Sequence, residues 1–225
     1  MIAVLAAAAG LVLPSPSPAL APAEIVARYR AAVAATRDPR VFTVEYTLVQ
    51  TGTRTLEQTH RIFRSGGDER DETLTVNGTR TKAPVVRIFR RAYRYTVAAL
   101  APKPESYAFS YAGPHHDGRH VDYVFTLAPK GATRSFAFTQ VVIDGVTFLP
   151  SEVDFATSAH GGRGTVTFAK HDRWWVAHGA SAVARVPGGI AHERLTFSHW
   201  RFPPSLPRST FEAARPLPGP PPPGA

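Results

Sequence analysis

Between Phe42 and Trp200 the apolar residues recur with a period of two, and that alternation restricts most of the chain to β-sheet. Phe42, Val44, Tyr46 and Leu48 share one face of a strand, while Thr43, Glu45 and Thr47 share the other. Turn signals punctuate the run. Gly52 closes the first strand, residues 56–63 return, and Ser65-Gly66-Gly67-Asp68 turns the chain into 69–76. Asn77-Gly78 is a hairpin signal because both residue types tolerate positive φ, and 85–97 runs back from it. A second series has strands at 106–111, 120–127, 134–143, 151–155, 164–168, 174–186 and 191–200, with turns at Pro129-Lys130-Gly131, Asp144-Gly145 and Pro187-Gly188-Gly189. Eleven strands joined by short turns predict an antiparallel meander. Only 98–105, with Pro102 and Pro104, breaks the rhythm, and it is long enough to lie as a flap over one edge of the sheet.

Ahead of the strands, residues 23–36 keep a helical period. Ile25, Val26, Tyr29 and Val33 form an apolar stripe, Glu24 sits in the first turn, and Arg28, Arg30 and Arg37 lie off the stripe. One amphipathic helix and a long meander define a mainly β, α+β domain. Its expected form is a curved, unclosed barrel with the helix across the concave side.

The two ends have other compositions. Residues 2–13 are all Ala, Val, Leu, Ile or Gly, prolines break the segment from Pro14 to Pro18, and Ala19-Leu20-Ala21 is a small-x-small cleavage pattern. Residues 1–21 therefore read as an export signal cleaved near Ala21, which places the mature protein in the periplasm. Residues 22–211 form the domain, and 212–225 form a Pro-rich tail that cannot sustain backbone hydrogen bonding. No interior apolar run reaches the ~18 to 20 residues that span a bilayer. The absence of cysteine excludes a disulfide framework, a thiolate metal site, a cysteine nucleophile and a lipid-attachment cysteine. Lys and Arg outnumber Asp and Glu by 26 to 17, which favours transient contact with an anionic membrane surface.

Little in the sequence points to catalysis. His115, His116 and Asp117, with His120 and Asp122, form the densest polar cluster, and imidazole and carboxylate are ligands for divalent metals. The chain has no HExxH pattern, however, and Pro114 and Gly118 bracket the cluster, so it reads as a solvated hairpin loop with no metal. Gly-x-Ser-x-Gly and phosphate-binding glycine loops are also absent, so no catalytic residue and no cofactor are expected and the chain is read as a non-enzyme. Arg87, Arg90, Arg91 and Arg94 interleave with Phe89, Tyr93 and Tyr95. In an exported protein that mixture suits a solvated strand face or lipid headgroups before nucleic acid, which is not expected as a partner.

Several segments resemble a known group in their order. They are the helix with Tyr29, the strand from Phe42 to Gln50, Arg61-Ile62-Phe63-Arg64 before a turn, Arg70-Asp71-Glu72-Thr73, and Val142-Ile143-Asp144 before Phe148-Leu149-Pro150. Gly164-Thr165-Val166-Thr167-Phe168, Trp174-Trp175-Val176 and the closing stretch from Phe202 to Phe211 complete the pattern. Together they are similar to the outer-membrane lipoprotein-sorting, or LolA/LolB-like, superfamily. The resemblance implies an unclosed barrel covered by helices, with a hydrophobic cavity for lipid or lipoprotein acyl chains. The expected cavity wall is Phe42, Val44, Tyr46, Leu48, Phe63 and Ile88, and the expected lid is Ile25, Tyr29 and Val33. The resulting expectation is a monomeric periplasmic carrier or binding protein. A regulatory protein-interaction module and, behind it, a small enzyme on the same scaffold are the alternatives.

Overall fold

A computed structural model describes residues 20–90, 95–117, 120–131, 135–158 and 161–212. Residues 1–19 of the expected export signal, the expected tail from 213, and Arg91, Tyr93, Arg94, Gly118, Arg119 and His160 lie outside the described residues. Helix α1 spans Pro22–Ala35, with proline at its start, where the missing N–H costs nothing, and Glu24 in its first turn. The strands are β1 (Val41–Gly52), β2 (Leu56–Ser65), β3 (Asp68–Val76) and β4 (Thr79–Phe89), then β5 (Tyr107–Asp117), β6 (His120–Pro129), β7 (Phe136–Asp144) and β8 (Pro150–Thr157). The last three are β9 (Arg163–His171), β10 (Trp174–Val186) and β11 (Gly189–Arg201). A one-turn helix, α2 (Val97–Leu100), stands between β4 and β5, and a 3-10 turn follows at Arg208–Phe211.

All eleven strands form one antiparallel sheet in the order β4-β3-β2-β1-β11-β10-β9-β8-β7-β6-β5. The first strand pairs with the last, so the chain starts in the middle of the sheet, works out to the edge at β4, crosses to the other edge at β5 and returns. The sheet is an unclosed half-barrel, because β4 and β5 do not pair with each other. Asn77 and Gly78, with φ of 49° and 74°, make the expected tight hairpin between β3 and β4.

Two of the expected local features take a different form. Residues 98–105 were expected as a flap over one edge, but the crossover that contains them first pairs alongside β10, in the middle of the sheet. Thr96 bridges to Val176 of β10, and Tyr95 O accepts from Ala177 N at 2.8 Å. The stretch Pro114-His115-His116 is part of β5 rather than a loop, with His115 opposite Asp122 and Asp117 opposite His120. Proline is tolerated there because β5 is an edge strand, with one side free of ladder bonds.

Two hydrophobic cores lie on the sheet. The larger joins Ile25 and Tyr29 of α1 and Val97 and Ala101 of the crossover to Phe125, Leu127, Val141, Ile143, Leu149, Val153 and Phe168 of the β6–β9 region. The smaller joins Phe42, Val44 and Ile62 to Ala177 and Phe197.

Candidate functional site

The helix is fixed along its first half. Ile25 and Tyr29 are fully buried, the Tyr29 hydroxyl donates to Pro102 O at 2.7 Å, and its ring lies 5.6 Å from that of Phe109. Burial pushes the Tyr29 hydroxyl well above its ordinary pKa. Val33, the third expected lid residue, packs against the same core from a half-buried position.

Beyond the point where α1 is anchored, its last turn borders a cleft of about 600 Å³. Ala32, Ala35, Thr36 and Arg37 form one side, Thr147 and Leu149 of the β7–β8 turn another, and Arg173 of the β9–β10 turn with Trp174 and Trp175 at the start of β10 the third. Its size falls in the ~300 to 1,000 Å³ range of small-molecule sites. The lining is aliphatic and indole surface with two guanidinium groups and no carboxylate. Arg173 lies over the Trp174 ring, 4.8 Å from its centroid, so its charge is held at the cleft wall.

The expected cavity wall is not one surface. Phe42 and Val44 are buried in the smaller core, Tyr46 packs against it and Leu48 is half-buried. Phe63 lies on the opposite face, because β1–β2 register sets Val44 against Ile62 and Thr43 against Phe63. Ile88 pairs with Arg70, which in turn pairs with Phe63, so it shares that opposite face. Nor do the lid residues cover the wall: Ile25 and Tyr29 belong to the larger core and Phe42 and Val44 to the smaller.

Next to Phe42 and Val44 the same face turns ionic. Arg64 and Glu69 pair at 3.1 Å with side chains 5% and 4% exposed, and the Tyr95 hydroxyl donates to Glu69 at 3.4 Å. His60 Nδ1 lies 2.8 Å from Asp71 Oδ1, the Tyr46 hydroxyl donates to Asp71 Oδ2 at 3.2 Å, and the Tyr46 and His60 rings stack at 4.6 Å. Burial raises the Glu69 carboxyl pKa, with the Arg64 guanidinium opposing and Asp71 adding to the shift. Titratable groups therefore do converge inside this sheet. They satisfy one another, though, and His60, Asp71 and Glu69 line neither the cleft beside α1 nor the smaller one, of about 300 Å³, that runs past Arg40 and Arg64. Such a network orders the interior.

A third polar group lies on the far side of the sheet. His120, Asp122 and Asp144 bring one ring nitrogen and two carboxylate oxygens within 4.8 Å of one another. The hydrogen bond with Asp144 raises the His120 pKa above its usual value. For Asp144, burial acts upward, but donation from Thr147, His120 and Val146 outweighs it and the carboxyl lies below its ordinary value. The sequence had isolated His120 and Asp122 but assigned Asp144 to a turn. The missing signal is the β6–β7 register that sets Asp122 opposite Asp144.

The described architecture is an open antiparallel half-barrel with a helix packed on one face. No protein-family model and no curated protein matches the chain. Among solved structures it is similar to a LolA superfamily protein from Nitrosomonas europaea, at 12% identity over 87% of this chain and 99% of that one, with a TM-score of 0.45. It is also similar to an outer membrane lipoprotein-sorting protein domain from Vibrio parahaemolyticus, at 17% identity over 84% and 94% of the two chains, with a TM-score of 0.46. A DUF1329 family protein from Desulfovibrio piger is similar at 12% identity over 84% and 95%, with a TM-score of 0.45. The unclosed half-barrel expected from the sequence is the architecture that the strand order gives.

Proposed function

We propose that this protein is a non-enzymatic binding protein of the cell envelope that takes a single-chain anionic amphiphile, such as a fatty acid, in the cleft at the end of α1. The observation that supports this reading is the lining: Ala32, Ala35, Leu149, Trp174 and Trp175 offer apolar surface, and Arg37 and Arg173 supply positive charge with no acid among the lining residues. Burying an acyl chain at ~25 cal/mol per Å² supplies affinity, and a guanidinium at the mouth selects an anionic end. The export pattern of residues 1–21 supports the envelope location, and no helix among the described residues is long and apolar enough to cross a membrane.

Two tryptophans in the cleft give a direct assay. A fatty acid carrying a quenching nitroxide is expected to lower tryptophan emission saturably, and an uncharged alcohol of the same chain length to bind at least tenfold more weakly. Ala35 is exposed and lines the cleft, so Ala35→Trp fills it without disturbing a core and is expected to weaken binding by about tenfold, or ~1.4 kcal/mol. Unchanged affinity in that variant would place the ligand elsewhere. The interaction-module reading draws its support from edge strand β4, where Val85 and Phe89 are 45% and 43% exposed. Absence of any saturable lipid binding would favour it.

A further inference from the structure

β6 and β7 pair with Asp122 directly opposite Asp144, and His120, two residues before Asp122, projects from the same face of β6. His120 Nε2 lies 2.6 Å from Asp144 Oδ2 and 3.0 Å from Asp122 Oδ1. One ring nitrogen carries either one proton or one lone pair, so it satisfies one carboxylate, yet two converge on it. The other oxygen of Asp144 is already committed. Its Oδ1 accepts from Val146 N at 3.1 Å, Thr147 N at 2.6 Å and Thr147 Oγ1 at 2.6 Å, which holds Oδ2 toward the cluster. Asp122 Oδ1 is fully buried and forms no well-directed hydrogen bond, its neighbour at 3.0 Å being the Nε2 that Asp144 already engages, a costly state for a carboxylate oxygen.

We propose that His120, Asp122 and Asp144 form a binding site for a divalent transition metal, with zinc the favoured ion. One imidazole nitrogen and two carboxylate oxygens are a donor set for zinc and its neighbours, whereas calcium takes six or more oxygens. Separations of 2.6 and 3.0 Å between the nitrogen and the two oxygens are shorter than the ~3.3 to 3.6 Å between tetrahedral ligands that each lie ~2.0 to 2.2 Å from one ion, so the three groups must part by ~0.3 to 1 Å to admit it. The ion gives the buried Asp122 oxygen its partner and removes the competition for Nε2. The His120 side chain is 42% exposed, so solvent reaches the cluster and water completes the coordination. Asp144 also opens the turn that carries Thr147 and Leu149 to the cleft, so a bound ion would brace that turn. This site does not depend on the lipid-binding reading.

The test is isothermal titration of the full chain, free of any affinity tag, with zinc chloride, alongside thermal unfolding with zinc and with a chelator. One equivalent of zinc is expected to bind and raise the melting temperature. Asp122→Asn and His120→Gln are each expected to weaken binding at least tenfold and abolish the zinc-dependent rise, with circular dichroism confirming the fold. Cobalt substitution supplies a second measurement, since visible d–d bands are expected in the parent and lost in Asp122→Asn. No zinc binding by the parent overturns the proposal. Binding that survives in both variants also overturns it, by assigning the metal to other histidines.

Discussion

Tyr29 decides whether α1 is part of the core or a gate. Replacing it with phenylalanine deletes the hydroxyl that donates to Pro102 O at 2.7 Å and leaves ring packing against Phe109 in place. The loss of one buried hydrogen bond, with a carbonyl left unpaired, is expected to cost about 1 to 2 kcal/mol. In a domain of this size that lowers the melting temperature by ~2 to 8 °C. Tyr29→Ala additionally opens a cavity where the ring was fully buried and is expected to cost ~3 to 5 kcal/mol. Urea unfolding gives both values. Lipid affinity of Tyr29→Phe, measured by tryptophan quenching, is expected to stay within about twofold, because the cleft is lined by the last turn of α1 and not by Tyr29. If Tyr29→Phe kept the parent's stability and took up ligand markedly faster, α1 would be a loosely held gate and the assignment of its first half to the core would be wrong.

Val44→Trp tests whether the β1–β2 face holds a cavity. Val44 is 1% exposed among Phe42, Ile62, Ala177 and Phe197, so overpacking is expected to cost ~1 to 3 kcal/mol in urea unfolding, and a stable variant with weakened lipid binding would restore the cavity there. His171 predicts a pH dependence. Its pKa is lowered by burial and by His178, so the unfolded chain takes up this proton first, and its contribution to stability is present above the ordinary value of 6.5 and is lost as pH falls below it. His171→Gln is expected to shrink the fall in melting temperature between about pH 7.5 and 5.5, and an unchanged fall would assign it to other groups.

Local elements were legible in the sequence wherever a short-range rule decides them. The α1 stripe, the Asn77-Gly78 hairpin and the inward placement of Phe42 and Val44 follow from period and turn chemistry alone. Faces were not legible where apolar residues sit side by side. Arg61-Ile62-Phe63-Arg64 offers an apolar group to each side, and only pairing with β1 selects Ile62 for the core. The ionic interior was hidden for a related reason. His60, Arg64, Glu69 and Asp71 look like solvated strand positions until β2 and β3 are placed side by side, since each charge is tolerable inside only beside its partner. Pro114 was misleading because the tolerance of proline on an edge strand depends on strand order, which no local pattern encodes.

Strand order also sets what the cleft can hold. Because β1 pairs with β11, the segment between β4 and β5 must cross from one sheet edge to the other, and it does so over β10. Tyr95 packs its ring 5.5 Å from that of Phe197 in the smaller core, while Val97 and Ala101 are buried in the larger. The crossover is therefore fastened on both sides and divides the covered face into two compartments. Its bridge to Val176 falls one residue beyond Trp175, which lines the cleft. On the proposed reading, an acyl chain entering beside α1 meets this strap before it reaches the β1–β4 half, where aromatic rings and ion pairs are buried. On that reading a ligand with one chain lies beside α1, and passage of a second chain toward the β1–β4 half would have to displace the Thr96–Val176 bridge and expose Val97, which is fully buried. On the proposed reading, selectivity for single-chain ligands follows from chain topology, and the tryptophans supply the contact surface.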